Sequence, residues 1–186
     1  MAEPGLTVVK VGGAICRDQA ALRLALEAIG RLARHQPLVV VPGGGAFADQ
    51  VRLAQRELGF SDDAAHWMAI LAMDQVAQLI ADRLPGAGLV QHPEEIAAAR
   101  RAGLIPVLAP HAWMRQVDAL PHSWNVTGDS IAAFVADALG ATELILLKRV
   151  DGPVESLADR AFPTTRPAGL AVRVATPATL EVPATG

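Results

Sequence analysis

Lysine is nearly absent from this chain. Of its 16 basic residues only Lys10 and Lys148 are lysines, and the rest are arginines. A composition heavy in Ala, Gly and Pro that uses arginine for lysine is a codon-bias signature, which explains the shortage but not where the two exceptions stand. Cysteine is almost missing too. A lone Cys16 excludes an internal disulfide, and the absence of a second Cys or His at metal-ligand spacing argues against a structural zinc, with no metal-ligating residue assigned. Cys16 reads as a small core residue. There is no run of eighteen apolar residues, which excludes an ordinary membrane-spanning helix. The start, MAEPGLTVVKVGG, lacks a basic segment followed by an apolar stretch, so a cytoplasmic location is expected. A net charge of −3 without any basic block argues against nucleic acid or a membrane surface as partner. The expected partner is a small molecule. No internal repeat occurs, and no Gly-x-x-x-x-Gly-Lys-Ser/Thr phosphate loop is present.

What is present is apolar and regularly patterned. With 186 residues and 52% hydrophobic content the chain has enough material for one compact unit. Leu6 to Val11 is a β-branched run ending at Gly12-Gly13, which predicts a buried strand and a tight turn. Asp18 to Arg34 carries apolar residues at the helical period, with Asp18 as N-cap. Leu38 to Val41 predicts a second strand, running into Pro42-Gly43-Gly44-Gly45 and a helix over Ala46 to Leu58. Ser61-Asp62-Asp63 caps a long helix to about Arg83. Further on, the pattern predicts strands at Leu89 to Gln91, Ile105 to Leu108 and Glu143 to Leu147, and helices at Pro93 to Ala102 and Ser130 to Leu139.

Such alternation predicts an α/β fold, a three-layer α/β/α sandwich on a mostly parallel central sheet, with ligands beyond the carboxyl ends of the strands. The α/β domain is placed at residues 1–152. Residues 153–186 form a short proline-rich segment with one convincing strand near Leu170 to Val174. The long helix is apolar on more than one side. Burying a Met- and Ile-bearing stripe is worth roughly 25 cal/mol per Å², which favours a homodimer or higher homo-oligomer unless the proline-rich segment covers the stripe.

The chemistry collects at strand ends: Lys10-Val11-Gly12-Gly13, Pro42-Gly43-Gly44-Gly45, and Asn125-Val126-Thr127-Gly128-Asp129 with Lys148. Consecutive glycines let backbone N–H groups approach a phosphate, and the following helix start adds a favourable dipole. A side chain at Gly44 is expected to block that approach, at a position of positive φ. A lysine at a strand end, facing solvent, can reach a phosphoryl group as a compact charge. Phosphoryl transfer depends mainly on positioning and positive charge, which two lysines and two glycine loops supply. Asp129 is either a helix cap or the carboxylate that holds both lysines. His66 is a packed helix residue or a substrate contact, whereas Asp62, Asp63, Glu94 and Glu95 read as solvated helix starts. A competing reading exists. Gly43, Gly45 and Ala48 satisfy the Gly-x-Gly-x-x-Ala pattern of a dinucleotide fold, but that fold has no use for Lys10 or the Asn125 loop.

With these motifs placed, the chain resembles the amino acid kinase family across about residues 6 to 152. The likeness lies in the Lys-x-Gly-Gly strand end, the Gly-Gly-Gly loop, and the Asn/Asp-rich turn before a strand that ends near Asp151-Gly152. The segments 62–69 and 123–132 are most similar to small kinases acting on (5-aminomethylfuran-3-yl)methyl phosphate in methanofuran-type cofactor synthesis. The resemblance implies transfer of the γ-phosphoryl group of ATP, with Mg²⁺, to a phosphate monoester. It further implies that Lys10 contacts the transferring group, that Gly12, Gly13, Gly43, Gly44 and Gly45 serve as phosphate-binding backbone, and that Asp129 organises the lysines. Lys148 stands where many relatives have Thr in Thr-Asp-Val-Asp-Gly, and it is the candidate second catalytic lysine. His66, Asn125 and Thr127 complete the expected substrate contacts.

Overall fold

A computed structural model describes residues 5–180; residues 1–4 and 181–186, which include the first residues of the expected domain and the end of the proline-rich segment, lie outside it. In chain order the elements are β1 (Thr7–Val11), α1 (Gly13–Cys16), α2 (Gln19–Ala33), β2 (Leu38–Pro42), α3 (Gly45–Leu58), α4 (Asp62–Arg83), β3 (Ala87–Val90) and α5 (Pro93–Arg101). There follow β4 (Ile105–Leu108), α6 (His111–Val117), α7 (Gly128–Ala138), β5 (Glu143–Leu147), α8 (Val154–Leu157), α9 (Phe162–Thr165) and β6 (Ala171–Ala175). The strands form one sheet in the order β3-β4-β2-β1-β5-β6, with every pairing parallel.

Why these strands sit in the middle is plain from their side chains. All five residues of β1 and of β2 are buried, as expected for strands covered on both faces. Val8, Val9 and Val11 are fully buried, each contributing about 1.5–3 kcal/mol of apolar burial. Successive residues point to opposite faces, so Val8, Val39, Val41, Leu144 and Leu146 pack under α7, while Val9, Val11, Val40, Ile145 and Leu147 pack under α2. The two layers of helix meet these two cores. Among the described residues no helix is long and apolar enough to cross a membrane.

Two expectations need correction, and the strand expected near Leu170 to Val174 is present as β6. The chain between Pro110 and Asn125, read without an element, contains α6, whose Trp113 and Met114 are buried. Its seven residues are too few to show a helical period. Helix α7 begins at Gly128 rather than Ser130, which puts Asp129 inside its first turn and not at the cap. The tail is more regular than its prolines suggest: β6 pairs residue for residue with β5, from Glu143 with Ala171 to Leu147 with Ala175. That pairing places the tail at the sheet edge opposite β3, and α4 packs on β2, β3 and β4. Met68 and Leu71 on α4 remain 39% and 43% exposed, so the tail does not cover the stripe that was expected to pair two copies.

The tail is nevertheless part of the core. Leu170 is 5% exposed and packs with the α7 residues. Leu170→Ala is expected to lower stability by about 2–5 kcal/mol in urea unfolding, the usual range for emptying a buried leucine site. A loss below about 1 kcal/mol would show that the tail packs loosely on α7.

Candidate active site

Register brings the three strand ends together. Val11 stands opposite Pro42 on one side and Leu147 on the other, so Gly12, Gly43 and Lys148 leave the sheet at the same level. Lys10 lies one residue earlier, on the face that α7 covers, and the residue is 5% exposed. The expectation that it faces solvent was therefore wrong. A cation this deep requires a partner, because burying an unpaired charge is costly. Asp129, in the first turn of α7 and itself 3% exposed, is that partner: its Oδ1 lies 2.8 Å from Lys10 Nζ. Lys148 Nζ donates to the same carboxylate, 3.0 Å from Oδ1 and 2.7 Å from Oδ2.

One carboxylate thus bridges two ammonium groups. Burial alone would raise the Asp129 pKa, but Lys10 and then Lys148 outweigh it and hold the carboxyl below its ordinary value. Burial and the like charge of Lys10 draw Lys148 below the ordinary lysine value, against the opposing pull of Asp129. The trio carries an excess positive charge in a site shielded from water.

The glycines around it divide by what their N–H groups do. Gly12 donates to the Leu147 carbonyl at 2.8 Å and Gly43 to the Val11 carbonyl at 2.8 Å, so both are spent on continuing the sheet. Gly13 and Gly45 open α1 and α3, where the first N–H groups of a helix have no intrahelical acceptor. The two loops touch: a Cβ on Gly13 would lie 3.1 Å from Gly45 N. Positive φ belongs to Gly45, at +54°, and not to Gly44, which is in the ordinary helical region at −73°. Gly44 is restricted for another reason, since a Cβ there would meet Ala48 Cβ at 2.5 Å.

A cavity of about 240 Å³ opens over these loops, with Lys10, Gly13, Gly43, Gly44, Gly45 and Gly128 in its wall. His66, Thr127 and Trp124 also line it. Gly12 and Asn125 do not: Asn125 is exposed, and its carbonyl accepts the Ala161 N–H at 3.1 Å. Asp129 and Lys148 sit behind Lys10 and outside the wall. A larger groove of about 930 Å³ runs between α2 and the end of α4, beside the amino ends of β3 and β4. It touches neither lysine nor either glycine loop and lies at the wrong end of the strands for a parallel sheet.

The sequence profile described as "Amino acid kinase family" matches residues 5–153. The chain belongs to the amino acid kinase family. It is 29% identical over 148 residues to the [5-(aminomethyl)furan-3-yl]methyl phosphate kinase of Methanocaldococcus jannaschii, covering 78% of this chain and 66% of that protein. It is 30% identical to the uridylate kinase of Methanothrix thermoacetophila, covering 79% of this chain and 63% of that one. The aligned stretch thus spans about two thirds of the length of these relatives. In structure it is similar to a UMP kinase from Ureaplasma parvum, with a TM-score of 0.65 at 18% identity over 84% of this chain and 73% of that one. The shared fold is the parallel sheet with helices on both faces.

Several residues of this family member escaped notice in the sequence. Arg17 and Arg52 reach the cavity, Arg17 paired with Asp49 at 2.6 Å and Arg52 stacked 4.4 Å above the Trp124 ring. In a chain where arginine is the default cation nothing marked them. Cys16 is half-buried rather than in the core, and burial raises its thiol to about 11, so it is an inert group. Asp63 is not only a helix start, because with Asp118 it flanks His122: Nδ1 lies 2.7 Å from Asp63 and Nε2 2.8 Å from Asp118. His122 in turn stacks on His66, with ring centroids 4.3 Å apart.

The histidines are pushed in opposite directions. Hydrogen bonds donated to Asp63 and Asp118 raise His122 above 6.5, while burial first and His122 second lower His66 to about 4. His66 therefore presents a neutral ring to the cavity at pH 7. By linkage, the raised pKa of His122 stabilises the fold fully below about pH 6.5 and is lost as pH rises through its folded value. The depressed pKa of His66 acts the other way: it stabilises above about 6.5 and that contribution is lost as pH falls toward 4. In an NMR titration of the ring protons, His122 is expected to titrate above 6.5 and His66 near 4. Both titrating together at the ordinary histidine value would contradict this packing.

Proposed function

We propose that this chain is an ATP-dependent kinase that transfers a phosphoryl group to a small phosphate monoester, with (5-aminomethylfuran-3-yl)methyl phosphate as the first candidate acceptor. The observation that carries the reading is the pair of buried lysines on one carboxylate beneath two glycine loops. Such a site suits a group rich in negative charge. The similarity to an aminomethylfuran phosphate kinase supports the acceptor class, and so does size. At about 240 Å³ the cavity lies below the roughly 300–1,000 Å³ typical of drug-sized ligands, which favours a small ring bearing one phosphate over a whole nucleotide as acceptor. If that acceptor is correct, the chain serves synthesis of a methanofuran-type cofactor in the cytoplasm.

In this reading an oxygen of the acceptor phosphate attacks the γ-phosphorus of ATP, forming one P–O bond as the bond to the β-phosphate oxygen breaks and ADP departs. Lys10, on the cavity wall, neutralises the oxygens of the phosphoryl group in flight. Lys148, behind it toward β5, serves the nucleotide side. Asp129 is not the base. Both its oxygens are engaged by lysines and its pKa is depressed, so it fixes and charges the two cations instead. Gly13, Gly44 and Gly45 present backbone to the phosphates: a Cβ on Gly13 would crowd Gly45, one on Gly44 would meet Ala48, and Gly45 holds a positive φ. Arg17 and Arg52 stand at the cavity for the acceptor phosphate, and His66 and Trp124 give its ring an aromatic wall. Thr127 shapes the same wall.

Mg²⁺ supplies charge neutralisation across the nucleotide phosphates when bound. Among the described residues no three His, Cys, Asp or Glu side chains converge as a metal site. The set of candidate acceptors is short enough to test directly. Purified protein should release ADP with the aminomethylfuran phosphate, measured beside UMP and N-acetylglutamate, the other acceptors suggested by similarity to a uridylate kinase and an acetylglutamate kinase. Lys10→Ala should reduce that turnover by about 10²-fold or more, the scale of losing a charge-stabilising donor. Turnover within a few-fold of the parent would sink the role given to Lys10.

A further inference from the structure

Asp159 lies in the tail, beyond the stretch 5–153 that matches the family, and its carboxylate accepts four hydrogen bonds from the start of α7. Its Oδ2 takes the Thr127 N–H at 2.9 Å, the Thr127 hydroxyl at 2.8 Å and the Ser130 N–H at 3.0 Å, while Oδ1 takes the Ser130 hydroxyl. Thr127, the N-cap of α7, makes no capping bond with its own side chain. The cap comes from 32 residues away.

We propose that Asp159 is a positioning residue that caps α7 from the tail and so keeps both oxygens of Asp129 available to Lys10 and Lys148. This rests on the kinase reading only for its consequence on turnover. The physical argument is one of competition. A carboxylate in the first turn of a helix is drawn to the free N–H groups there, both by hydrogen bonding and by the helix dipole. Asp129 is such a carboxylate. Asp159 already takes the Thr127 and Ser130 N–H groups on either side of Asp129, so folding back offers Asp129 fewer donors and the lysines compete better for it. The donors to Asp159 flank Asp129 in the chain, at 127 and 130, so the clamp fixes the turn on both sides of it.

The clamp is itself held. The Asp159 carbonyl accepts the Phe162 N–H at 3.1 Å, the Ala161 N–H reaches Asn125 at 3.1 Å, and Phe162 is 2% exposed in the core beneath α7. Ser130 is fully buried, so no water can replace its partner without opening the site. Asp159 also lies close enough to Lys148 to favour its charged form. A segment outside the matched family region thus completes the arrangement of residues inside it.

The scarcity of lysine makes this testable. Protein labelled with ¹³Cε-lysine carries only two labelled side chains, Lys10 and Lys148, assigned by a Lys148→Arg variant. In Asp159→Ala the Lys148 resonance is expected to shift and titrate at lower pH than in the parent, and kcat should fall by about tenfold or more with a smaller change in KM, as for lost positioning. Asp159→Asn, which keeps an acceptor oxygen, should recover part of both and serves alone if the alanine variant does not fold. Leu170→Ala is the control, since it removes buried tail packing without touching the clamp. It should lower Tm yet leave both lysine titrations in place. The proposal is overturned if Asp159→Ala and Asp159→Asn leave the lysine resonances unchanged, or if Leu170→Ala moves them equally. A parent that makes no ADP while Asp159→Ala still moves the lysines would refute the kinase reading and support the clamp.

Discussion

The ion triad of Lys10, Asp129 and Lys148 is the interaction on which the rest of this structure depends. Two cations buried a few ångströms apart repel, and burial disfavours each charge further. Only a carboxylate between them makes the arrangement tenable, and the 2.7–3.0 Å contacts supply it. The fold exists around that need: β1 and β5 are neighbours, so their lysines rise side by side, and α7 crosses the same face to deliver Asp129. Removing Asp129 leaves two buried cations uncompensated, whereas removing either lysine takes away the excess positive charge of the site. That is why the three residues act as a unit, and why no stability can be assigned to one of them separately.

The triad also sets what the site does chemically. Its net charge is positive, it opens on one side to a small cavity, and the backbone on the other walls comes from glycines where a side chain would crowd its neighbours or, at Gly45, require positive φ. A phosphate meets these demands, being anionic, compact and able to accept from backbone N–H groups. The histidine pair beyond it stays mostly outside this electrostatics. His122 draws its charge from Asp63 and Asp118, which leaves His66 a neutral ring on the cavity wall.

Much of this was legible in the sequence because single residues broke its pattern. Two lysines in a chain of arginines, each near the end of an apolar run, marked the strand ends, and the glycine runs marked turns beside them. Periodicity sufficed for the long helices and the buried strands. What stayed hidden was of another kind. Helix α6 is too short to display a period, Arg17 and Arg52 look like every other arginine, and the burial of Lys10 follows from α7 lying over its face of the sheet, which no local pattern encodes. Asp159 was hidden for the same reason. It lies in a proline-rich stretch that reads as loop, its donors are about thirty residues earlier, and only the tertiary path of the tail brings them together.

The most direct test of the central claim is a ³¹P NMR spectrum of the product formed from ATP and (5-aminomethylfuran-3-yl)methyl phosphate. The account predicts a new coupled pair of resonances from a diphosphate, growing as ADP appears, with the parent protein and not with Asp129→Asn. Inorganic phosphate as the sole new signal, or a diphosphate formed equally well by Asp129→Asn, would contradict it.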